Sequence, residues 1–263
     1  MNIAVLLKQV PDTEARLKIR DGSVDHTDVK MVPNPFDEFA VEEAIRIREK
    51  SGSGQVTIYC LGQEKAKEAV KWAFSVGADQ GFLLKDPAFD NSDLLGAAKV
   101  LAAALKKEHY DLILCGKQAV DDDAGQVAQA VAELLDLPHV GTVHKMELSE
   151  DKKSVVCYRD FEGGVEVVQS SLPAVISAEK GLNEVRYASL KGIMAAKKKS
   201  LVEMDLAALG LSAADIGAAG AQLEIRGLEM PPVRAAGKII DGASPQEKVA
   251  NLVKLLREEA KVI

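Results

Sequence analysis

The feature that most constrains this chain is the alternation, through its first half, of short apolar runs with longer amphipathic ones. IAVLL (3–7), QVTIYCLG (55–62), GFLL (81–84) and DLILCG (111–116) read as strands. The first has no polar alternation, as suits a strand covered on both faces. NPFDEFAVEEAIRIREK from Asn34, EKAKEAVKWAFSVGA (64–78), SDLLGAAKVLAAALKKE (92–108) and AGQVAQAVAELL (124–135) read as helices. Asn34 suits the N-cap of the first, Pro35 its first turn and Asp37 the capping-box acid. This alternation predicts an α/β fold with a doubly wound, mostly parallel sheet. Ligands of such sheets sit beyond the carboxyl ends of the strands, where strand order reverses. Residues 6–10, 61–63, 116–123 and the helix start at Asn34 therefore converge on one edge, the expected site.

The pattern changes near residue 140. TVHKMELSEDKKSVVCYRDFEGGVEVVQSSLPAVISA reads as an antiparallel extension with turns near SEDKK and FEGG. The following stretch is mixed and basic, then polar and rich in Ala and Gly, before a last helix in QEKVANLVKLLREEA. Residues 185–245 hold too little patterned apolar sequence for a core of their own. The expected division is an α/β domain over 1–184 and an arm over 185–263 that lies on a partner or on the domain itself.

With 263 residues and 47 % hydrophobic content, one large core is within reach. The net charge of −7 argues against a nucleic-acid binder. No apolar run approaches the ~20 residues of a membrane helix, and MNIAVLLKQV lacks the basic start of a signal peptide. Cys60, Cys115 and Cys157 are widely spaced in apolar segments, as reduced, buried thiols of a cytoplasmic protein would be. His26, His109, His139 and His144 show no metal-binding spacing. There is no phosphate-binding G-x-x-x-x-G-K-[ST] loop and no G-x-S-x-G elbow, and the one G-x-G precedes a strand. No catalytic group stands out.

Asp121, Asp122 and Asp123 stand between the fourth strand and its helix. One acid there can cap the helix; three exceed that need. A second reading gives another of them a ribose hydroxyl and gives a phosphate the helix start at Ala124, Gly125, Gln126 and Val127. Magnesium binding is a third. On the residues alone Lys197, Lys198 and Lys199 read as a solvated face and Leu190 as a buried leucine.

The ordered set KQVPDT (8–13), NPFDEFAVEEA (34–44), GKQAVDDD (116–123) and LNEVRYASLKGIMAAKKK (182–199) resembles the electron transfer flavoprotein β subunit over nearly the whole chain. The resemblance implies a heterodimer with an α subunit that holds most of a redox-active FAD. It also implies an adenine-nucleotide-hydrolase-like domain that binds AMP structurally, or a second FAD in electron-bifurcating members with NADH as donor. Its nucleotide-binding positions would be Leu6, Asn34, Pro35, Phe36, Asp37 and Leu61, with Gly116, Lys117, Gln118, Ala119, Val120 and the aspartates through Val127. Residues 178–200 would form the loop that docks acyl-CoA dehydrogenases, with Leu190 as anchor and Tyr187, Ile193, Met194 and the three lysines around it. Electrons would pass on to a membrane quinone reductase. Asp160 would lie near the α subunit. Thr13 stands where some AMP-type members have an aromatic residue, and Val127 where many have threonine. A stand-alone adenine-nucleotide module of similar fold is the remaining alternative.

Overall fold

The computed structural model describes residues 1–233 and 236–263. Its first compact unit is Met1–Gly227 and its second is Leu228–Ile263. In chain order the first unit holds β1 (Asn2–Leu6), β2 (Gln9–Pro11), β3 (Ile19–Arg20), β4 (Ser23–Val24), β5 (Met31–Pro33), α1 (Pro35–Ser51) and β6 (Gln55–Leu61). It continues with α2 (Lys67–Val76), β7 (Gln80–Leu84), α3 (Leu94–Leu105), β8 (Leu112–Gly116) and α4 (Val127–Leu135). Then come β9 (His139–Leu148), β10 (Ser154–Phe161), β11 (Gly164–Ser171), β12 (Val175–Ala178), α5 (Leu190–Ala196), β13 (Leu201–Met204), α6 (Leu206–Leu209) and α7 (Gly217–Gly220).

One nine-stranded sheet runs β11-β10-β9-β12-β8-β1-β6-β7-β13. β1 pairs in parallel with β6 on one side and β8 on the other, so strand order reverses between β1 and β8. Alternate residues of each strand serve different layers, as the strand's two-residue period requires. Ile3, Val5, Leu112 and Leu114 pack with α1 and α2. Ala4, Leu6, Ile113 and Cys115 pack with α3 and α4. The doubly wound parallel core expected from the alternation is therefore present.

Two features differ from the sequence reading. Only β9, β10 and β11 form the antiparallel extension; VISA, as β12, inserts in parallel between β9 and β8. A short apolar run carries no sign of strand direction, so its partner decides. LVEM, unassigned from sequence, adds a ninth strand parallel to β7. Glu203 of that strand meets Lys67 at 2.6 Å and Lys85 at 3.1 Å, and Glu64 meets the same two lysines at 2.5 and 2.6 Å. This four-charge ring and Ile216, wholly buried in the α3/α4 core, help explain why the first unit runs past residue 184.

The second unit contains α8 (Pro245–Glu258), with Ser244 Oγ accepting the Glu247 N–H as cap and no residue buried. Val249, Leu252 and Val253 stand exposed on it. Among the described residues, no helix is long and apolar enough to cross a membrane.

Candidate functional site

Asn34 and Asp37, the two residues expected to cap α1, are both buried and both turned to other work. Asn34 occupies the N-cap position with Pro35 beginning the helix, yet its side chain makes no cap bond. Its Nδ2 donates to Gln118 O at 2.9 Å and its Oδ1 accepts from Val120 N–H at 3.2 Å, while its own N–H donates to Lys8 O. Asp37 Oδ2 accepts the Lys8 N–H and Oδ1 the Gly116 N–H, each at 2.8 Å. One carboxylate thus ties the end of β1 to the end of β8, across the reversal point. Burial pushes Asp37 up to about 6, against the pull of those two N–H groups. Gly116 is required by this approach: a Cβ there would lie 2.5 Å from Asp37 Oδ1 and 2.6 Å from Phe36 Cβ. Lys117 pairs with Glu179 at 2.7 Å, its ammonium 4.7 Å from the Phe36 ring centre.

The aspartate triplet does not cap a helix. α4 begins at Val127, later than the sequence pattern suggests, and Gln126 at its N-cap offers no side-chain bond. Asp121 and Asp122 instead receive Lys8 Nζ at 2.8 and 3.0 Å. Burial lowers the pKa of Lys8, but these two carboxylates outweigh it and hold it above its ordinary value. Asp122 also accepts from Ala124 N–H, and Asp123, left-handed at φ 50°, accepts from Gln118 Nε2 at 2.7 Å. The loop spends its acids on its own shape and on Lys8, and the first N–H groups of α4 are left without a side-chain cap. Among the described residues no group of three or more acids, histidines and cysteines is arranged to hold a metal ion.

These segments surround a cavity of about 340 Å³. Of the residues singled out in the sequence, Leu6, Asn34, Asp37, Leu61, Gly116, Lys117, Gln118, Ala119, Asp122, Gly125, Gln126 and Val127 line it. Pro35, Phe36, Val120, Asp121, Asp123 and Ala124 are not among its lining residues, and they shape the segments that are. One wall was missed: Phe89, Asp90, Asn91, Ser92, Asp93 and Leu94, between β7 and α3. The strand-end rule applied to β7 as well as to its neighbours would have found it. A wider depression of about 530 Å³ lies between the C-terminal half of α1 and the end of β9, with mixed charges and away from the reversal point.

The 182–199 segment is pinned at its base and bare at its tip. Asn183 Nδ2 donates to Phe39 O and to Glu43. The Arg186 guanidinium holds Glu42 through Nε (2.8 Å) and Nη2 (3.1 Å), and Glu49 through Nη1 (2.8 Å) and Nη2 (2.9 Å). α5 then packs closely on α2, since a Cβ on Gly192 would run into Ser75 O. Just before α5 Tyr187 is 98 % exposed, and on its outer side Leu190 is 76 % exposed, with Ile193 and Met194 also exposed. Lys197 and Lys198 face solvent. Lys199 does not: its ammonium donates to Ala78 O and lies 5.7 Å from the Phe74 ring centre, and burial lowers its pKa. Asp160, 68 % exposed, lies 3.4 Å from His144 Nδ1.

A doubly wound α/β domain with a cleft at its reversal point belongs to the class of open-sheet proteins whose ligands bind beyond the strand ends. Residues 21–209 match the family model described as the electron transfer flavoprotein domain. The chain is 40 % identical over 266 residues to the electron transfer flavoprotein subunit beta of Bacillus subtilis, covering all of both chains. It is 40 % identical over 258 residues to that of Thermoanaerobacterium thermosaccharolyticum, covering 97 % of this chain and 98 % of the relative. It is 34 % identical over 261 residues to the caffeyl-CoA reductase-Etf complex subunit CarD of Acetobacterium woodii, covering 98 % and 99 %. The chain belongs to the electron transfer flavoprotein family, as a β subunit, and so to an electron carrier that has an α subunit as well.

Proposed function

We propose that this chain binds AMP in the cavity between β1, β8 and α4 as a structural nucleotide, and helps its α subunit enclose the FAD that supplies the redox chemistry. The cavity itself carries this reading: it sits at the reversal point, and its volume of about 340 Å³ suits a mononucleotide. The residues present fit the ligand's chemistry. The uncapped first turn of α4, led in by the left-handed Gly125, offers backbone N–H groups to a phosphate. Leu6, Leu61, Phe89 and Leu101 offer apolar surface to a base. Lys8, bridging Asp121 and Asp122, offsets part of their negative charge beside an anionic ligand.

Residues 8–13 form part of the flavin's wall. The exposed Leu190, with Tyr187, Ile193 and Met194 beside it, docks acyl-CoA dehydrogenases, and Lys197 and Lys198 steer the encounter. Electrons pass on to a membrane quinone reductase. Of the arm expected from residue 185 on, the part beyond the first unit, Leu228–Ile263 with the unburied apolar stripe of α8, packs on the α subunit.

A second reading is favoured by Val127 alone, which places an apolar side chain in the first turn of α4. A second FAD would then fill the β site, with NADH as donor. The test is to purify the chain with its α subunit, denature the pair and quantify released nucleotides. One FAD and one AMP per pair is the expected result. Two FAD and no AMP would replace it with the bifurcating reading.

A further inference from the structure

The cavity wall between β7 and α3 is held from behind by a part of the chain more than a hundred residues away. Ser92 Oγ donates to Phe89 O at 2.8 Å and accepts the Gly217 N–H at 2.9 Å. Asp93 Oδ1 caps α3 by accepting the Gly96 N–H at 2.8 Å, while its Oδ2 accepts the Gln222 N–H at 2.6 Å. Lys99, in the second turn of α3, donates to Asp215 O at 3.1 Å. Between these anchors Ile216 is wholly buried in the same cluster as Phe89 and Leu101, two cavity-lining residues. Gly217 takes φ 60°, and a Cβ there would run into Ala88 O. Ser92 and Asp93 therefore line the cavity with one side and grip residues 217 and 222 with the other.

We propose that Ser92 and Asp93 are positioning residues that couple occupancy of the cavity to the order of residues 215–223, so that each stabilises the other. The inference rests on the nucleotide reading above and adds a route to it. A ligand that settles against this wall restricts the loop bearing Ser92 and Asp93, and a restricted loop presents fixed acceptors to the Gly217 and Gln222 N–H groups. Linkage makes the effect reciprocal: whatever loosens the strap weakens the ligand by the same factor. The chain leaves its first compact unit at Gly227, shortly after Gln222. Occupancy is thus registered where the C-terminal segment departs.

Hydrogen–deuterium exchange on the full chain, stripped of nucleotide and then titrated with AMP, tests this. In the unaltered chain AMP should slow exchange in the wall (89–97) and also in the strap (215–223). Asp93→Asn keeps an oxygen to cap α3 and loses the acceptor for Gln222; it should abolish the strap response and weaken AMP about fivefold or more. Gly217→Ala acts from the strap side, outside the cavity lining, and should weaken AMP to a similar degree. Protection of the wall with no change in 215–223 would overturn the coupling and leave the nucleotide reading standing. So would AMP affinity unaltered by Gly217→Ala. Absence of AMP protection in both the wall and α4 would overturn the nucleotide reading and the coupling with it. Should either variant fail to fold, the exchange pattern of the unaltered chain decides.

Discussion

At the scale of single residues, the site is built by side chains whose roles are set by what faces them, not by their place in a motif. Asn34 and Asp37 occupy capping positions of α1, yet Asn34 bridges to the 118–120 loop and Asp37 spans β1 and β8. Sequence shows the cap position; it does not show that buried N–H groups from two strand ends lie nearer. Gly116 was legible as a strand end but not as a contact. Gly116→Ala should lower stability by about 1–3 kcal/mol, the usual scale of overpacking, and weaken AMP retention; calorimetry and nucleotide release read both. Leu190 is the opposite case. At 76 % exposure its truncation should leave stability within about 0.5 kcal/mol and FAD content intact. Electron transfer from an acyl-CoA dehydrogenase should slow about tenfold, as expected for an anchor worth on the order of 1.4 kcal/mol. Unchanged transfer rates with lost stability would make Leu190 a packing residue.

At the scale of elements, the helices and parallel strands of the first half follow their apolar periodicity closely, because local pattern and burial agree there. Agreement fails where an element depends on a distant partner. β12 is parallel because β8 and β9 leave a slot between them, and β13 exists because the β7 edge and the lysines at 67 and 85 receive it. The base of the 182–199 segment is set in the same way by α1. Arg186 holds Glu42, which is only 4 % exposed, so Arg186→Ala leaves that buried carboxylate with Arg46, at 3.6 Å, as its remaining ion partner. The variant should lose about 1–3 kcal/mol in urea denaturation, less than the full penalty of a buried pair because the arginine is itself partly solvated. Exchange should rise across residues 183–196 while the cavity stays protected. Arg186→Lys should recover only part of the loss, since one ammonium cannot reproduce the fork held between Glu42 and Glu49.

At the scale of the whole molecule, two sets of carboxyls bend the stability profile in opposite directions with pH. Burial and the neighbouring Asp37 push Glu38 up to about 7, and Asp37 itself stands at about 6. Groups raised in this way bind more protons folded than unfolded. Their contribution is complete below the ordinary carboxylate range and is lost as pH rises through those values. Glu64, drawn down to about 2 by Lys67 and Lys85, contributes above the ordinary range and fades on acidification. Glu38→Gln should therefore stabilise the chain at pH 8 by on the order of 1–2 kcal/mol, discounted for partial solvation, with no gain at pH 4. A gain that does not vary with pH would rule out titration of Glu38 as the cause. The same sheet also buries every thiol the chain has: Cys60 in β6, Cys115 in β8 and Cys157 in β10. Burial pushes Cys60 up to about 12 and Cys157 up to about 11, and raises Cys115 as well. Only thiolates react, so an alkylating reagent added to the folded chain labels molecules that have opened. Cys157, in the antiparallel extension, should be modified before the two in the parallel core. The protein carries three chemical clocks at three depths of one sheet, able to time its opening strand by strand with no engineered label.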